Sequence, residues 1–236
     1  METKGIPAAQ HSLRGISTFA QVHGDAIARL DKRCAWRIYQ RGEPIVDYLD
    51  ETNDVHFVVS GQVRASIYSL SGKMVTFCDL SPGGMFGEYA AIDGGPRSVG
   101  VEAISNCVVA SLPAPTFREI LQSEPAVTQA LVEHLVGKVR DLTTRIYEFS
   151  VLAVNNRIQA EILRLARRAP CEGGRARIEV PPTHVEIASR TSTHREAVTR
   201  ELNRLARLGL IKREGKALIV EDILRLEMMV HRATGE

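Results

Sequence analysis

Short apolar runs separated by glycine-containing turns dominate the chain between about residues 35 and 112. Val55–Val59 is an apolar run interrupted only by His56, and it ends at Ser60 and Gly61, whereas Gln62–Tyr68 alternates polar and apolar residues. Further runs of the same kind follow at 74–77, 99–101 and 107–112. Short strands at this spacing, joined by glycine turns, predict an antiparallel sandwich or barrel.

The pattern changes to a helical one after residue 124. From Val127 to Phe149 the apolar residues recur at intervals of three and four. Pro125 fits the first turn of such a helix, and a helix of roughly 25 residues would be about 37 Å long. One stripe of it can pack on its own domain while another meets a second copy of the chain. A helix packed wholly within one chain would show the same spacing of apolar residues, so both arrangements stay open.

The C-terminal third predicts a second helix, a short strand and then two helices joined by a tight turn. The second helix spans Asn156–Arg168 and the strand Ala176–Val180. Thr183 with Glu186 has the spacing of a capping box, and Thr193 is expected to cap the next helix in the same way. The expected apolar faces are Val185, Ile187 and Ala188 in one helix and Ala197, Val198, Leu202, Leu205 and Leu208 in the other. Two short capped helices in this order are typical of a helix–turn–helix unit.

The second of these helices begins with polar side chains, as a helix lying in the DNA major groove does. Arginine can donate two hydrogen bonds to guanine, and glutamate can accept one from cytosine. A strand, the glycine turn at Gly215 and another strand follow, which predicts a winged helix. The candidate DNA-contacting residues are Thr183, Thr191, Thr193, His194, Arg195, Glu196, Thr199, Arg200, Asn203, Lys212 and Lys216. A plain helical hairpin with a solvated charged face is the alternative.

A second candidate site lies in the glycine-rich segment 83–103. Gly87 permits close approach of the backbone, and Glu88 can accept a hydrogen bond from a sugar hydroxyl. Arg97 offers two parallel donors to a phosphate, and Ser98 adds a hydroxyl. A structural ion pair between Arg97 and Glu88 at a turn would have the same residues, so that alternative stays open.

Two motifs resemble known families. Phe86-Gly87-Glu88 and Pro96-Arg97-Ser98 resemble the phosphate-binding cassette of cyclic-nucleotide-binding domains, including the nine-residue interval from Glu88 to Arg97. Residues 194–200 resemble the recognition helix of the Crp/Fnr family of transcription regulators. The resemblance implies an α+β fold: an N-terminal antiparallel β-roll (a double-stranded β-helix or jelly roll), a long dimerisation helix and a C-terminal winged helix–turn–helix domain. The implied domain boundaries are 1–125, 126–152 and 153–236.

The resemblance also implies a ligand and residue roles. Glu88 would bind the ribose 2′-hydroxyl, Arg97 and Ser98 the cyclic phosphate, and the long helix the base. The nucleotide-binding residues expected from it are Phe86, Gly87, Glu88, Tyr89, Ala90, Arg97, Ser98, Val99, Arg140, Thr143 and Thr144. The pair Thr143–Thr144 is shifted by one position from the family's two hydroxyl residues, so the effector can be cAMP or cGMP. The implied partners are a second copy of the chain, a palindromic double-stranded DNA operator and RNA polymerase.

Composition and charge agree with two modules. The 236-residue chain is 44% hydrophobic and 25% charged, which excludes wholesale disorder. Residues 1–150 hold 14 Lys and Arg against 17 Asp and Glu, whereas residues 151–236 hold 16 against 11. The basic C-terminal part suits a polyanionic partner. With no membrane-length apolar run and no apolar N-terminal stretch, we expect a cytoplasmic protein that does not enter a membrane.

Several other functions are disfavoured. Cys34, Cys78, Cys107 and Cys171 lie far apart without a CxxC motif, so a structural zinc site, an iron–sulfur cluster, a haem sensor or a disulfide framework is not expected. An enzyme that uses the anion site for phosphoryl chemistry is a further alternative, but the sequence has no GxxxxGK[ST] loop, no kinase pair of aspartates and no metal-ligand cluster, so we expect neither catalysis nor a metal cofactor. A DNA-binding regulator that ignores nucleotides, with a degenerate pocket, remains the alternative function.

Overall fold

The computed structural model describes residues 12–70, 72 and 74–234. The N-terminal stretch on which the cytoplasmic expectation rests lies outside them. The chain divides into two compact units, Met1–Lys138 and Val139–Glu236, and the division falls within the long helix. No helix in the described part of the chain is both long and apolar enough to cross a membrane.

In its described residues, the N-terminal unit contains short strands, 3-10 turns at Leu13–Gly15 and Ser17–Phe19, α-helices and the first part of a long helix. Its elements, in chain order, are α1 (Gly24–Asp31), β1 (Ala35–Tyr39), β2 (Pro44–Val46), β3 (Val55–Ser60), β4 (Val63–Tyr68), β5 (Met74–Leu80), β6 (Met85–Phe86), α2 (Glu88–Asp93), β7 (Gly100–Ala103), β8 (Cys107–Leu112) and α3 (Ala114–Ser123).

The strands form two four-stranded sheets, in the orders β1-β8-β3-β6 and β2-β7-β4-β5, and every pairing is antiparallel. Strands distant in sequence are neighbours in both sheets, as in a jelly roll. The predicted antiparallel β-roll is therefore confirmed.

The sequence of β3 does not alternate between apolar and polar residues, because both faces of the strand are buried. Val55 and Phe57 belong to the apolar cluster beneath the helices, whereas Val58 belongs to the cluster that includes residues of the second sheet. Successive side chains of a strand point to opposite faces, so a strand buried on both faces is apolar throughout. His56 is the polar exception within this run, and its side chain is also buried.

A 27-residue helix, α4 (Pro125–Val151), begins at the expected proline. Val127 and Leu131 are buried in the N-terminal apolar cluster. A second stripe of the same helix is exposed, and it comprises Val132, Val136, Val139, Leu142, Ile146 and Phe149. The helix therefore presents more apolar surface than one chain covers.

The C-terminal unit also contains α5 (Val154–Arg168), β9 (Cys171–Glu172), β10 (Arg175–Ile178), α6 (His184–Arg190), α7 (Arg195–Arg207), β11 (Ile211–Glu214), β12 (Ala217–Val220) and α8 (Ile223–Thr234). The strands form one antiparallel sheet in the order β11-β12-β10-β9. Helices α6 and α7 followed by the β11–β12 hairpin make up the predicted winged helix–turn–helix.

Helix α6 starts as predicted. The Thr183 hydroxyl accepts a hydrogen bond from the Glu186 backbone N–H at 3.3 Å, and the Glu186 carboxylate accepts one from the Thr183 N–H at 2.6 Å. Val185 was expected on the buried face, but it is exposed. The buried face of this short helix consists of Ile187, Ala188 and Ser189.

The predicted start of α7 is wrong. Thr193 does not cap it, because the helix begins at Arg195 and the N-cap position belongs to His194, whose side chain makes no capping bond. The Thr193 N–H donates instead to the Ala188 carbonyl at 3.0 Å, which closes the turn. Leu208 was expected on the buried face, but it lies beyond the last turn of the helix and is exposed.

A chain of ion pairs links three helices of the C-terminal unit. Arg164 of α5 contacts Glu148 of α4 at 2.8 Å and also pairs with Glu161. Glu161 is only 2% exposed, and its other oxygen accepts from Arg190 of α6 at 3.0 Å. A buried carboxylate needs such partners, so this series of ion pairs fixes α6 against the end of the long helix.

Replacing Glu161 with alanine leaves two partly buried arginines without their shared acceptor. We expect the free energy of unfolding to fall by about 3 kcal/mol, measured by urea denaturation followed by circular dichroism. Glu179→Ala, which removes an exposed carboxylate paired with Arg177, is the control and should leave the midpoint unchanged. Equal effects of the two variants would contradict the assigned importance of the buried network.

Candidate ligand site and nucleic-acid interface

Gly87 sits where strand β6 turns into helix α2, with a φ of +83°. A Cβ atom there would lie 2.4 Å from the Arg97 Nη1 and 2.8 Å from the Asp54 carbonyl oxygen. Glycine is therefore required twice, because of its left-handed backbone and because Arg97 lies against it. The two ends of the predicted cassette meet at this point.

The guanidinium of Arg97 is buried, with 3% of the residue exposed, and is held at each of its three nitrogens. Nε donates to the Thr52 hydroxyl at 3.1 Å, Nη1 to the Gly87 carbonyl at 3.2 Å, and Nη2 lies 3.3 Å from His56 Nε2. A guanidinium has five N–H donors. After these three contacts, two donors remain for the oxygens of an anionic ligand.

Burial and neighbouring carboxylates set the charge at Arg97. Burial lowers the pKa of Arg97, and the negative charges of Asp54, Asp50 and Glu88 offset part of that effect. The backbone of Arg97 is also fixed, because its N–H donates to the Asp50 carbonyl at 2.8 Å and its carbonyl accepts from Leu49 at 3.0 Å. This cation is therefore positioned by its backbone as well as by its side chain.

Glu88 is 2% exposed and is paired with the long helix. Lys138 Nζ donates to its Oε1 at 2.7 Å, and His134 Nε2 lies 3.7 Å from the same oxygen. Burial raises the pKa of Glu88, but His134 and Lys138 together lower it by more, so the net pKa is below its usual value. Glu88 is thus an ionised hydrogen-bond acceptor inside the unit.

Among the described residues, Arg97 and Glu88 have different partners rather than each other. The alternative of a simple Arg97–Glu88 ion pair at a turn therefore does not describe this site. His56, Thr52, His134 and Lys138 were not identified from the sequence. For His134 and Lys138 a sequence signal does exist. Their four-residue spacing places both side chains on one face of the long helix α4.

The other residues expected to bind the nucleotide differ in how far they are exposed to solvent. Phe86 and Ala90 are buried, Val99 is half-buried, and Tyr89 and Ser98 are exposed. Arg140, Thr143 and Thr144 are exposed on the part of α4 that belongs to the second unit, and both threonine hydroxyls donate to backbone carbonyls one turn earlier. Their contact with a purine stays a prediction.

Helix α7 exposes the polar face that the sequence predicts. His194, Arg195, Glu196, Arg200 and Asn203 are all exposed. Such a face matches the requirement of major-groove recognition, namely donors and acceptors at the start of the helix.

Thr199 is half-buried and serves the packing of two helices. Its hydroxyl donates to the Arg195 carbonyl at 3.0 Å and lies 2.8 Å from His184 Nδ1 of α6. Burial and the positive charges of Arg213 and Arg195 lower the pKa of His184. His184 was missed by the sequence analysis, and its contact fixes the angle between α6 and α7.

The expectation that Thr191 contacts a phosphate is wrong. Thr191 is 2% exposed, and its hydroxyl donates to the Ile187 carbonyl at 2.8 Å. Its own carbonyl accepts from Arg157 Nε at 3.0 Å. The residue is therefore part of the turn structure and faces the interior of the unit.

Further cations lie on the wing formed by β11 and β12 and in a groove along α7. On the wing, exposed Lys212 pairs with Glu214 at 2.9 Å and Glu221 at 2.7 Å, while Lys216 is exposed at the turn. An open groove of about 760 Å³ lies between α7 and the start of α5. Its polar lining residues are Asn155, Arg200, Glu201, Asn203, Arg204 and Arg207.

Two sequence families match the chain in the two units. The cyclic nucleotide-binding domain family matches residues 36–124, and the Crp-like helix-turn-helix domain family matches residues 156–229. The first match contains the Arg97 and Glu88 cluster. The second contains α6, α7 and the wing.

Similar proteins extend along nearly the whole chain. The CRP-like cAMP-activated global transcriptional regulator of Mycobacterium tuberculosis is 27% identical over 209 residues, covering 88% of this chain and 93% of the relative. The cyclic AMP receptor protein of Thermus thermophilus is 28% identical over 208 residues, covering 87% and 94%. The solved c-di-GMP-responsive global regulator CLP of Xanthomonas campestris is 20% identical, with a TM-score of 0.71 and coverage of 84% of this chain and 99% of its own. At that identity the likeness establishes a shared fold.

Gly87→Ala tests the close approach between the two ends of the cassette. We expect it to lower the free energy of unfolding of the N-terminal unit by about 3 kcal/mol, because strain and a steric clash add. Gly94→Ala is the matched control. Gly94 has a φ of +72° but no atom within 4 Å of its added Cβ, so strain alone should cost about 1 kcal/mol. Urea unfolding followed by fluorescence of Trp36, the chain's single tryptophan, measures both variants. Equal losses would mean that the approach of Arg97 to Gly87 is not tight.

Proposed function

Because the chain belongs to the Crp/Fnr family of transcription regulators, we propose that it is a cyclic-nucleotide-responsive regulator that binds specific DNA sequences as a homodimer. One observation carries the proposal. A buried arginine with two remaining donors lies close to a buried, ionised glutamate, on a chain that also carries an exposed polar recognition helix.

The pocket chemistry suits a 3′,5′-cyclic nucleotide. The remaining donors of Arg97 match two oxygens of a cyclic phosphate, and a buried charge-assisted bond of this kind is strong. Glu88 accepts from the ribose 2′-hydroxyl, in exchange for part of its contact with Lys138. The named relatives from M. tuberculosis and T. thermophilus are a cAMP-activated regulator and a cyclic AMP receptor protein, which makes cAMP the first ligand to test and cGMP the second.

The exposed stripe of α4 supports a homodimer. Val132, Val139 and Ile146 repeat every seven residues and are between 48% and 66% exposed. Leu142 and Phe149 fill the intervening positions, so the stripe has the spacing of a two-stranded coiled coil. A symmetric pair would offer two recognition helices to two half-sites about 34–36 Å apart on palindromic DNA.

One helix contacts both functional parts of the chain. Lys138 of α4 binds Glu88 in the cassette, and Glu148 of the same helix binds Arg164, which leads to α6 through Glu161. A ligand that alters the Glu88–Lys138 contact therefore acts on the helix that supports the DNA-binding unit. A ligand shifts such an equilibrium only by its unequal affinity for the two states.

A nucleotide-independent regulator is the second candidate, and a specific observation favours it. Glu88 Oε1 and all three nitrogens of Arg97 already have partners within the protein. If these contacts are too strong for a ligand to replace or extend, the pocket is structural and the DNA-binding unit acts alone.

A mobility-shift titration on a random-sequence DNA pool separates the two candidates. The arms contain cAMP, cGMP, c-di-GMP or no nucleotide, and the retained DNA is sequenced. Our proposal predicts that cAMP or cGMP raises DNA affinity and enriches a palindromic site. Equal retention of one site in all arms would establish the nucleotide-independent candidate, and a response to c-di-GMP alone would identify a different effector.

Arg97→Leu removes the phosphate partner. We expect cAMP or cGMP to bind about 10- to 100-fold more weakly, since a hydrogen bond to a charged group contributes about 1.5–3 kcal/mol. Isothermal titration measures the affinity, and circular dichroism checks that the variant is folded. Arg37→Leu, which removes an exposed arginine of the same unit, is the control and should bind like the wild type. Unchanged affinity in Arg97→Leu would contradict the assigned role.

Arg195→Ala removes one base-reading donor at the start of α7. The loss should be about 1–3 kcal/mol on the selected site and confined to one base pair per half-site. Competition assays with single-base variants of the site measure this. Lys216→Ala is the comparison, because loss of a phosphate contact weakens binding to all sequences alike and lowers the salt dependence. A uniform loss with Arg195→Ala would show that Arg195 contacts the DNA backbone instead.

A further inference from the structure

His56 is a buried histidine to which neither the sequence motifs nor the proposed ligand contacts give a role. It is the second residue of β3, between Val55 and Phe57. Its ring stacks on Phe86 of β6, with centroids 4.9 Å apart and an angle of 20° between the planes. This packing fixes the plane of the imidazole and directs its two nitrogens.

Both ring nitrogens have a polar neighbour. Nδ1 lies 2.8 Å from the Ser111 hydroxyl, and Nε2 lies 3.3 Å from Arg97 Nη2. A guanidinium only donates hydrogen bonds. Nε2 must therefore be the unprotonated acceptor. Nδ1 carries the ring proton and donates a hydrogen bond to the Ser111 hydroxyl.

The structure assigns to His56 the role of a positioning residue, whose unprotonated Nε2 orients the Arg97 guanidinium toward the ligand phosphate. This inference rests on the function proposed above. Thr52 and the Gly87 carbonyl hold the other two nitrogens, so three acceptors, one on each nitrogen, fix the guanidinium plane. Removing the His56 acceptor frees one end of that plane, and ordering it again on binding costs affinity.

The surroundings keep His56 in the form that this role needs. Burial and the positive charge of Arg97 lower the pKa of His56 to about 3. A protonated ring would have no lone pair at Nε2 and would place a cation beside Arg97. The groups that face the ring are Arg97, Ser111 and Phe86, and the carboxylates of Asp54, Asp50 and Glu88 act on Arg97.

Two substitutions separate the acceptor from the ring. His56→Phe keeps an aromatic ring against Phe86 and removes both nitrogens, whereas His56→Gln restores an acceptor near the position of Nε2 without the ring. Isothermal titration with cAMP and with cGMP should show about tenfold weaker binding for the phenylalanine variant. The glutamine variant should recover most of that loss. Failure of glutamine to bind better than phenylalanine would overturn the positioning role.

A double-variant comparison separates positioning from general damage to the fold. In the Arg97→Leu background, His56→Phe should cause no further loss of nucleotide affinity, because the guanidinium that it orients is absent. Equal losses of affinity in both backgrounds would show that His56 acts only through the fold.

Nitrogen NMR of the ligand-free protein tests the same contact without any nucleotide. We expect His56 to keep one neutral form, with the proton on Nδ1, between about pH 5 and pH 8. The Arg97 Nε–H signal should be sharp in the wild type and broadened in His56→Phe. A ring that titrates near its ordinary value, or an unchanged Arg97 signal, would overturn the inference. If the wild type binds neither nucleotide while the NMR results hold, the proposed function fails and the His56–Arg97 contact stands.

Discussion

A charged side chain removed from water must find a partner, and in this chain the partners of two buried charges bring together parts that are distant in sequence. Glu88 is paired with Lys138 of the long helix, and Arg97 is held by acceptors from three separate segments. Gly87 allows the second of these arrangements, because a side chain there would occupy the place of the Arg97 guanidinium. The segment from Gly87 to Arg97 is therefore held in place by contacts within the protein, with one buried charge at each end.

The same constraint organises the C-terminal unit. Glu161 is buried and needs both Arg164 and Arg190, and Arg164 in turn reaches Glu148 at the end of α4. Buried ion pairs add little net stability compared with apolar packing, but they demand a specific geometry. Glu161 therefore constrains how α5 and α6 pack, and its partner Arg164 connects them to Glu148 of α4.

The sequence predicts the elements of this fold well and the contacts between them poorly. Strand spacing and glycine turns predict an antiparallel sandwich or barrel, and the helical periodicity predicts the long helix, whereas the β-roll and the cassette follow from the family resemblance. His56 was missed because its contacts, with Ser111 on the neighbouring strand and with Arg97, join residues more than 40 positions apart, for which one sequence carries no direct signal. The spacing of His134 and Lys138 places both on one face of α4, but it does not show that this face meets Glu88 of α2. The Thr193 cap was wrong for a local reason. Thr193 belongs to the turn, where its N–H donates to the Ala188 carbonyl, and His194 takes the N-cap position, so the helix begins one residue later than predicted, at Arg195.

If the proposed nucleotide and the DNA act on one equilibrium of the protein, the binding of each changes the affinity for the other. Isothermal titration of cAMP, and separately of cGMP, with and without the selected DNA site measures the coupling. We expect DNA to tighten nucleotide binding by the same factor by which the nucleotide tightens DNA binding. Identical nucleotide affinities with and without DNA would contradict it.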